Sequence, residues 1–211
     1  ALAAGQPGLL RFTSGFGQTT VLLLAGEPDK AQQLAQELID FTQSQQPGRA
    51  IGEVLLADIL IARGELDAAI DVLQGATKVL ARTGYSWGPL AWMLLARALG
   101  QRGATAEAGR ALARAEARHG LKSMLFAPEL ALARAWTTAA RRDHHGAIAA
   151  AREALRAAER GGQSAVALRV LRDAALLGDV RAADCFDRVG VDCAFGRQAR
   201  AVATEVAADR A

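Results

Sequence analysis

Asp58, Arg97, Trp136 and Arg172 recur at intervals of 39, 39 and 36 residues, with Thr20 placed 38 residues ahead of the first. A carboxylate and planar guanidiniums can fix hydroxyls or carboxylates by directed hydrogen bonds, while an indole covers the apolar face of a ligand. Glu129, close before Trp136, adds a second acid. Asp58, Arg97, Glu129, Trp136 and Arg172 are therefore the candidate ligand-binding residues, suited to a small polar molecule. The structural alternative is an ion pair between Asp58 and Arg97 of neighbouring units, with little net energetic value.

No other set of residues makes a site. The segment GFGQTT, Gly15 to Thr20, faintly resembles a phosphate loop but lacks the lysine and lies within a helical pattern. His144 and His145 are adjacent at a helix start, so they point to different faces and offer no metal pair. Asp67 and Asp71 stand one turn apart where a helix begins, a place where the dipole favours negative charge. Cys185 and Cys193 lack zinc-ligand spacing and read as inert thiols of a reducing cytoplasm. With no nucleophile and base to pair, the chain is expected not to be an enzyme and to need no metal or cofactor. Arg110, Arg114 and Arg118 recur every fourth residue as one basic stripe, which is either a solvated face or a docking face.

The elements that position these residues are marked by alanines. Stretches ending in Ala31, Ala69, Ala108, Ala147 and Ala183 each break one helix and open the next, at steps of 38, 39, 39 and 36 residues. Such a period is the mark of stacked supersecondary units, each leaning on its neighbours to bury its apolar face. Composition agrees: 51% of the 211 residues are hydrophobic but only 5% aromatic, and Ala and Leu carry the apolar weight. The net charge of +3 comes from interspersed acids and bases and does not call for nucleic acid. No apolar run approaches a membrane span, and the opening ALAAGQPG lacks both a Met and a signal-peptide pattern. The expectation is a cytoplasmic fragment, interior or C-terminal-side, of a longer chain, with residues 1–211 forming one helical-repeat domain.

Within the second unit Ile51, Val54, Leu55 and Ile59 have helical spacing before Arg63 and Gly64 stop the helix. Pro28, Pro89 and Pro128 fall in first turns, where a missing N–H costs nothing. Twelve positions before the markers stand Thr19, Ala57, Ala96 and Ala135, small enough for close helix approach, with Leu171 the exception. Nine before them stand Leu22, Leu60, Leu99, Thr138 and Ala174, which should face the partner helix. The fifth unit is worn at Asp187 and Gly190, residues 1–12 make half a unit, and Phe195 to Ala208 offer one more helix. Fold class is thus all-α, a superhelix of antiparallel helix pairs with about five repeats of 38–39 residues.

This spacing resembles the tetratricopeptide repeat, with Trp92 where that motif has its leading Trp, although its usual period is about 34 residues. The resemblance puts the first helix of each unit on the inner, concave groove, so the ladder from Thr20 to Arg172 would face a ligand. The neighbouring ladder Phe16, Val54, Met93, Leu132 and Leu168 is apolar, and Thr13, Ile51, Leu90, Glu129 and Ala165 form a third. Arg134 stands where other units have Leu56 and Leu95; if buried it needs a carboxylate, and Glu129 is on the same helix. Tyr85 and Trp87, at a helix entry, read as a packing staple.

The stretch from Pro128 to Trp136, then AIAAAREALRAAERGGQ, then LRDAALLGD to Asp179, resembles the helical-repeat arm of LuxR-type large ATP-binding regulators of the MalT-like group. The resemblance is best from Gly64 to Asp179. It implies an arm that receives a small inducer, a sugar among the candidates, and works with the regulator's own ATP-binding and DNA-binding modules. Neither a Walker sequence nor a helix-turn-helix is present, so this segment would not itself bind nucleic acid. Inducer binding would favour an open, active state. The alternative is a protein-interaction scaffold that holds a peptide or partner helix in the same groove.

Overall fold

The computed structural model describes residues 7–43 and 45–189, with 197 and 201, and gives the backbone alone at 7–9, 183 and 186–189. In chain order the helices are α1 (Pro7–Ala25), α2 (Pro28–Phe41), α3 (Gly48–Arg63), α4 (Leu66–Leu80), α5 (Trp87–Gln101) and α6 (Thr105–Arg118). A short 3-10 helix (Leu121–Phe126) follows, then α7 (Ala127–Ala140), α8 (His144–Arg160), α9 (Ser164–Leu176) and α10 (Val180–Val189). Among the described residues there is no strand, and no helix is long and apolar enough to cross a membrane.

The period is written into the turns. Each odd-numbered helix ends near a residue in the left-handed region: Gly26, Gly64, Gly103, Arg142 and Gly178, with φ of 79, 82, 81, 63 and 91°. Glycine adopts that conformation without a Cβ clash, whereas at Arg142 it costs about 1–2 kcal/mol. Five residues after each stands a marker alanine. Ala31, Ala69, Ala108 and Ala147 are fully buried; the side chain of Ala183 lies outside the described residues, and Ala182 beside it is buried. GFGQTT lies within α1, and His144 and His145 are exposed at the start of α8, as expected.

Alanine also sets how closely helices pack. α6 buries only Ala108, Ala111 and Ala115, and α8 only Ala147, Ala151, Ala154 and Ala158. These stripes repeat at three- and four-residue steps and let backbones approach. On α5, a Cβ at Gly100 would stand 2.7 Å from the Trp136 carbonyl carbon, so α5 and α7 touch there backbone to backbone. Nearly all of α5, from Trp87 to Gly100, is buried.

The odd helices form the inner layer and the even helices the outer one. α1 meets α3, α3 meets α5, α5 meets α7 and α7 meets α9, and then α9 returns to touch α1. The inner layer is therefore a ring, and the open concave groove expected from the repeat pattern is closed. Of the apolar ladder, Val54, Met93 and Leu132 are fully buried in the core, and the end rungs Phe16 and Leu168 are partly buried against it. The cause is accumulated rotation: each unit turns a little relative to the last, and five units bring the inner helices round to meet.

Other expectations resolve locally. Thr19, Ala57, Ala96 and Ala135 are buried as small residues at a close approach should be. Arg134 is exposed and pairs with Glu116 at 2.8 Å, so it makes no demand on Glu129. Trp87 does pack, edge-on to Phe16 and against Phe126 at 5.8 Å, but Tyr85 is 39% exposed and staples nothing. Cys193, Gly190, the helix expected over Phe195 to Ala208 apart from 197 and 201, and residues 1–6 of the leading half-unit lie outside the described residues, as does the Asp187 side chain.

Candidate functional site

Where the ring closes, the charged residues of α3, α5, α7 and α9 meet in one seam. Arg97 of α5 holds Asp173 of α9 at 2.9 Å and reaches Asp58 of α3 at 3.5 Å. Arg169 of α9 crosses to Asp58 at 2.5 Å and to Glu129 of α7 at 2.6 Å, with its guanidinium 5.8 Å above the Phe16 ring of α1. The Trp136 indole donates its N–H to Asp173 Oδ2 at 2.9 Å. Arg172 donates to the Ala62 carbonyl at 3.0 Å and lies 3.8 Å from Asp173. Thr20, the first rung of the ladder, is buried and donates its hydroxyl to the Phe16 carbonyl within its own helix.

All five candidate residues are thus brought to one place, four of them from the rungs of one ladder. They face each other across the ring. Asp58 is 5% exposed, Arg97 and Glu129 2%, and Asp173 and Arg169 at most 1%. Three carboxylates (Asp58, Glu129, Asp173) stand against three guanidiniums (Arg97, Arg169, Arg172), so the seam is neutral as a whole. Neutrality matters because an unpaired charge at such depth costs several kcal/mol, on the order of the net stability of a whole domain.

The satisfaction is incomplete. Arg97 Nε, Arg169 Nε, Glu129 Oε2 and Thr137 Oγ1 are buried without a hydrogen-bond partner. Burial pushes the Glu129 carboxyl above its ordinary range, and Arg169 only partly opposes that. Burial also works against the Arg169 charge, but Asp58, Glu129 and Asp173 together outweigh it and hold its pKa above that of a free guanidinium. Arg172 is moved the other way, lowered by burial. Among the described residues no cluster of His, Cys, Asp and Glu could hold a metal ion.

Arg169 and Asp173 are the members that sequence reasoning missed. Their signal lay in columns other than the ladder. Fourteen positions before the markers stand Gly17, Leu55, Leu94, Ala133 and then Arg169; ten before them stand Val21, Ile59, Ala98, Thr137 and then Asp173. Leu55, Leu94 and Ala133, like Ile59, Ala98 and Thr137, are buried, so a charge in either column announces a buried ion partner.

A separate concavity lies at the edge, between the α4–α5 link and the α6–α7 link. It encloses about 310 Å³ and is lined by Thr83, Tyr85 and Ser86 on one side and Arg118, Leu121 and Lys122 on the other.

No family model matches the chain, and no curated protein is similar to it. Among solved structures, a candidate kinesin light chain of Podosopora anserina with nearly identical TPR-like repeats has a TM-score of 0.50 at 18% identity, covering 95% of this chain and 98% of its own. A point variant of that protein gives 0.49 at 18% identity over 95% and 97%. At that identity the first likeness shows the fold alone, a helical-repeat α-solenoid.

Proposed function

We propose that this chain is a non-catalytic protein-interaction scaffold that meets its partners through its outer helices and links. The observation behind this reading is the closed seam. Asp58, Arg97, Glu129, Trp136 and Arg172 commit their main hydrogen-bonding groups to the chain itself, and a peptide or partner helix has no open inner groove to enter. Helical arrays of this kind work through extended surfaces built by stacked units. Partner capture from the parent cell, followed by crosslinking to locate contacts, tests the reading. Crosslinks on α2, α4, α6, α8 or the links between helices support it, and a partner crosslinked to α5 or α9 from within the ring contradicts it.

One observation favours a second reading, the inducer-receiving arm of a cytoplasmic LuxR-type regulator that acts with its ATP-binding and DNA-binding modules. The orphaned Arg97 Nε, Arg169 Nε and Glu129 Oε2 are two donors and an acceptor that a small polar molecule, such as a sugar, would satisfy if the ring opened to admit it. Such an inducer would have to bind the open ring better than the closed one. Thermal shift against a panel of sugars separates the two readings: a rise in melting temperature that is lost in Trp136→Ala favours the inducer reading.

A further inference from the structure

The edge concavity gathers basic residues that lack the ion pairs several other guanidiniums of the molecule make. Arg63 holds Asp29 and Arg102 holds Asp67 across neighbouring units, and Arg152 takes Asp179 through two bonds of 2.8 Å. Among the described residues Arg114, Arg118 and Lys122 hold no carboxylate: Arg114, one turn before Arg118 on α6, lies with its guanidinium 4.8 Å over the Trp92 ring, while Arg118 at the end of α6 and Lys122 on the 3-10 helix line the concavity. Arg82, between the lining residues Ala81 and Thr83 across the concavity, likewise makes no ion pair with a described residue. Of the two acids on α6, Glu116 is committed to Arg134 and Glu107 stands at the far end of the helix.

Uncovered apolar surface surrounds the same charges. Leu121, in the lining, is 92% exposed, and Met124, on the same edge of the 3-10 helix, is 55% exposed. Tyr85 on the opposite wall is 39% exposed. Thr83 and Ser86 line that wall, the Thr83 hydroxyl donating to the Leu80 carbonyl. A concavity of about 310 Å³ is at the small end of ligand sites, the size for one large side chain.

We infer that this edge is a docking site for an acidic segment of a partner protein that inserts one aromatic or large apolar side chain between Tyr85 and Leu121. This deepens the scaffold reading and rests on it. Carboxylates flanking the inserted side chain would neutralise Arg82, Arg118 and Lys122, and Arg114 would extend the attraction along α6. Charge complementarity selects the acidic partner, and the apolar wall argues for peptide over nucleic acid, whose phosphates would leave Leu121 uncovered. The concave form argues for an inserted side chain over a lipid surface, which would favour a protruding apolar tip.

The probe is a short fluorescein-labelled peptide of Glu and Asp around one central Trp, followed by fluorescence anisotropy with the whole chain. The expectation is salt-sensitive binding that weakens at least about tenfold, or 1.4 kcal/mol, in R118E/K122E and about threefold in Leu121→Ser. These residues are exposed, and circular dichroism confirms that each variant is folded. No binding of the peptide, or equal binding by R118E/K122E, overturns the inference. So does tighter binding of a single-stranded oligonucleotide or of phosphatidylserine vesicles through the same residues. If the peptide fails while a captured partner crosslinks to another outer surface, the edge site falls and the scaffold reading stands; if no outer crosslinks appear either, both fall.

Discussion

The seam inside the ring and the edge beside α6 use the same side chains for opposite ends. Arg97 and Arg169 are buried and Arg172 is largely so, and each holds groups of the chain itself, whereas Arg114, Arg118 and Lys122 are exposed and hold no acid among the described residues. In the seam a guanidinium is useful because it is engaged: Arg169 ties α9 to α3 and α7, and Arg97 ties α5 to α9. At the edge a guanidinium is useful because no carboxylate holds it. Sequence reasoning weighs residue type and spacing, and by both measures the ladder looks like the binding site. Burial reverses the ranking, since a charge already matched at depth has little to offer a newcomer.

The largest effect should come from breaking the seam on one side. Arg169→Met leaves Asp58 with the longer contact to Arg97 alone and Glu129 without a counter-charge, and should cost about 3–5 kcal/mol in urea unfolding. Adding Glu129→Gln should restore part of that loss, giving a coupling that a double-mutant cycle reads directly. A cost below about 1 kcal/mol for Arg169→Met would erase the contrast between seam and edge. Next comes Gly100→Ala, which disturbs the helices carrying the seam without touching a charge. Its Cβ would meet Trp136 backbone atoms, and the expected cost is about 1–3 kcal/mol in the same unfolding measurement.

Titration sharpens the comparison further. Glu129 is raised by burial, so the stability gained from its protonated form is full below the ordinary carboxylate range and is lost as pH rises through the raised value. Asp179 is lowered, first by its hydrogen bonds from Arg152, so its contribution is present above the ordinary range and is lost as pH falls through the lowered value. Urea midpoints across pH should therefore lose their decline on the rising side in Glu129→Gln and on the acid side in Asp179→Asn. A decline that persists unchanged in Glu129→Gln would remove Glu129 from its cause. The smallest stability effect belongs to the edge. R118E/K122E should shift unfolding by no more than about 0.5 kcal/mol in either direction, and its consequence should appear in binding instead.

What was legible in the sequence was local. Four glycines in the left-handed turns, the buried alanines five residues on, and prolines in first turns fix where helices start and stop, because each acts within a few residues of itself. Arg142, which takes the fourth turn without a glycine, hid in RDHHGA yet kept the period. The candidate residues did converge, since a ladder of one register must stay on one face. Closure of the ring was not legible, because it depends on small rotations summed over five units and on Arg169 reaching Asp58 across 111 positions of sequence. Two partners in the seam, Arg169 and Asp173, sat in columns that are apolar or small elsewhere, and only the path of α9 back to α1 shows why charges are tolerated there.

The central claim is that the seam is sealed, and the Trp136 indole proton reports on it most directly. Held by Asp173, a fully buried acceptor, that proton should exchange with deuterium only as slowly as the whole domain unfolds, and the acidic peptide should leave its rate unchanged. NMR in deuterium oxide, with Trp136→Phe to assign the resonance, gives the rate. Slow exchange matched to global unfolding is the predicted result; exchange within the dead time, or a resonance that moves when sugars are added, would mean that the inner face is open.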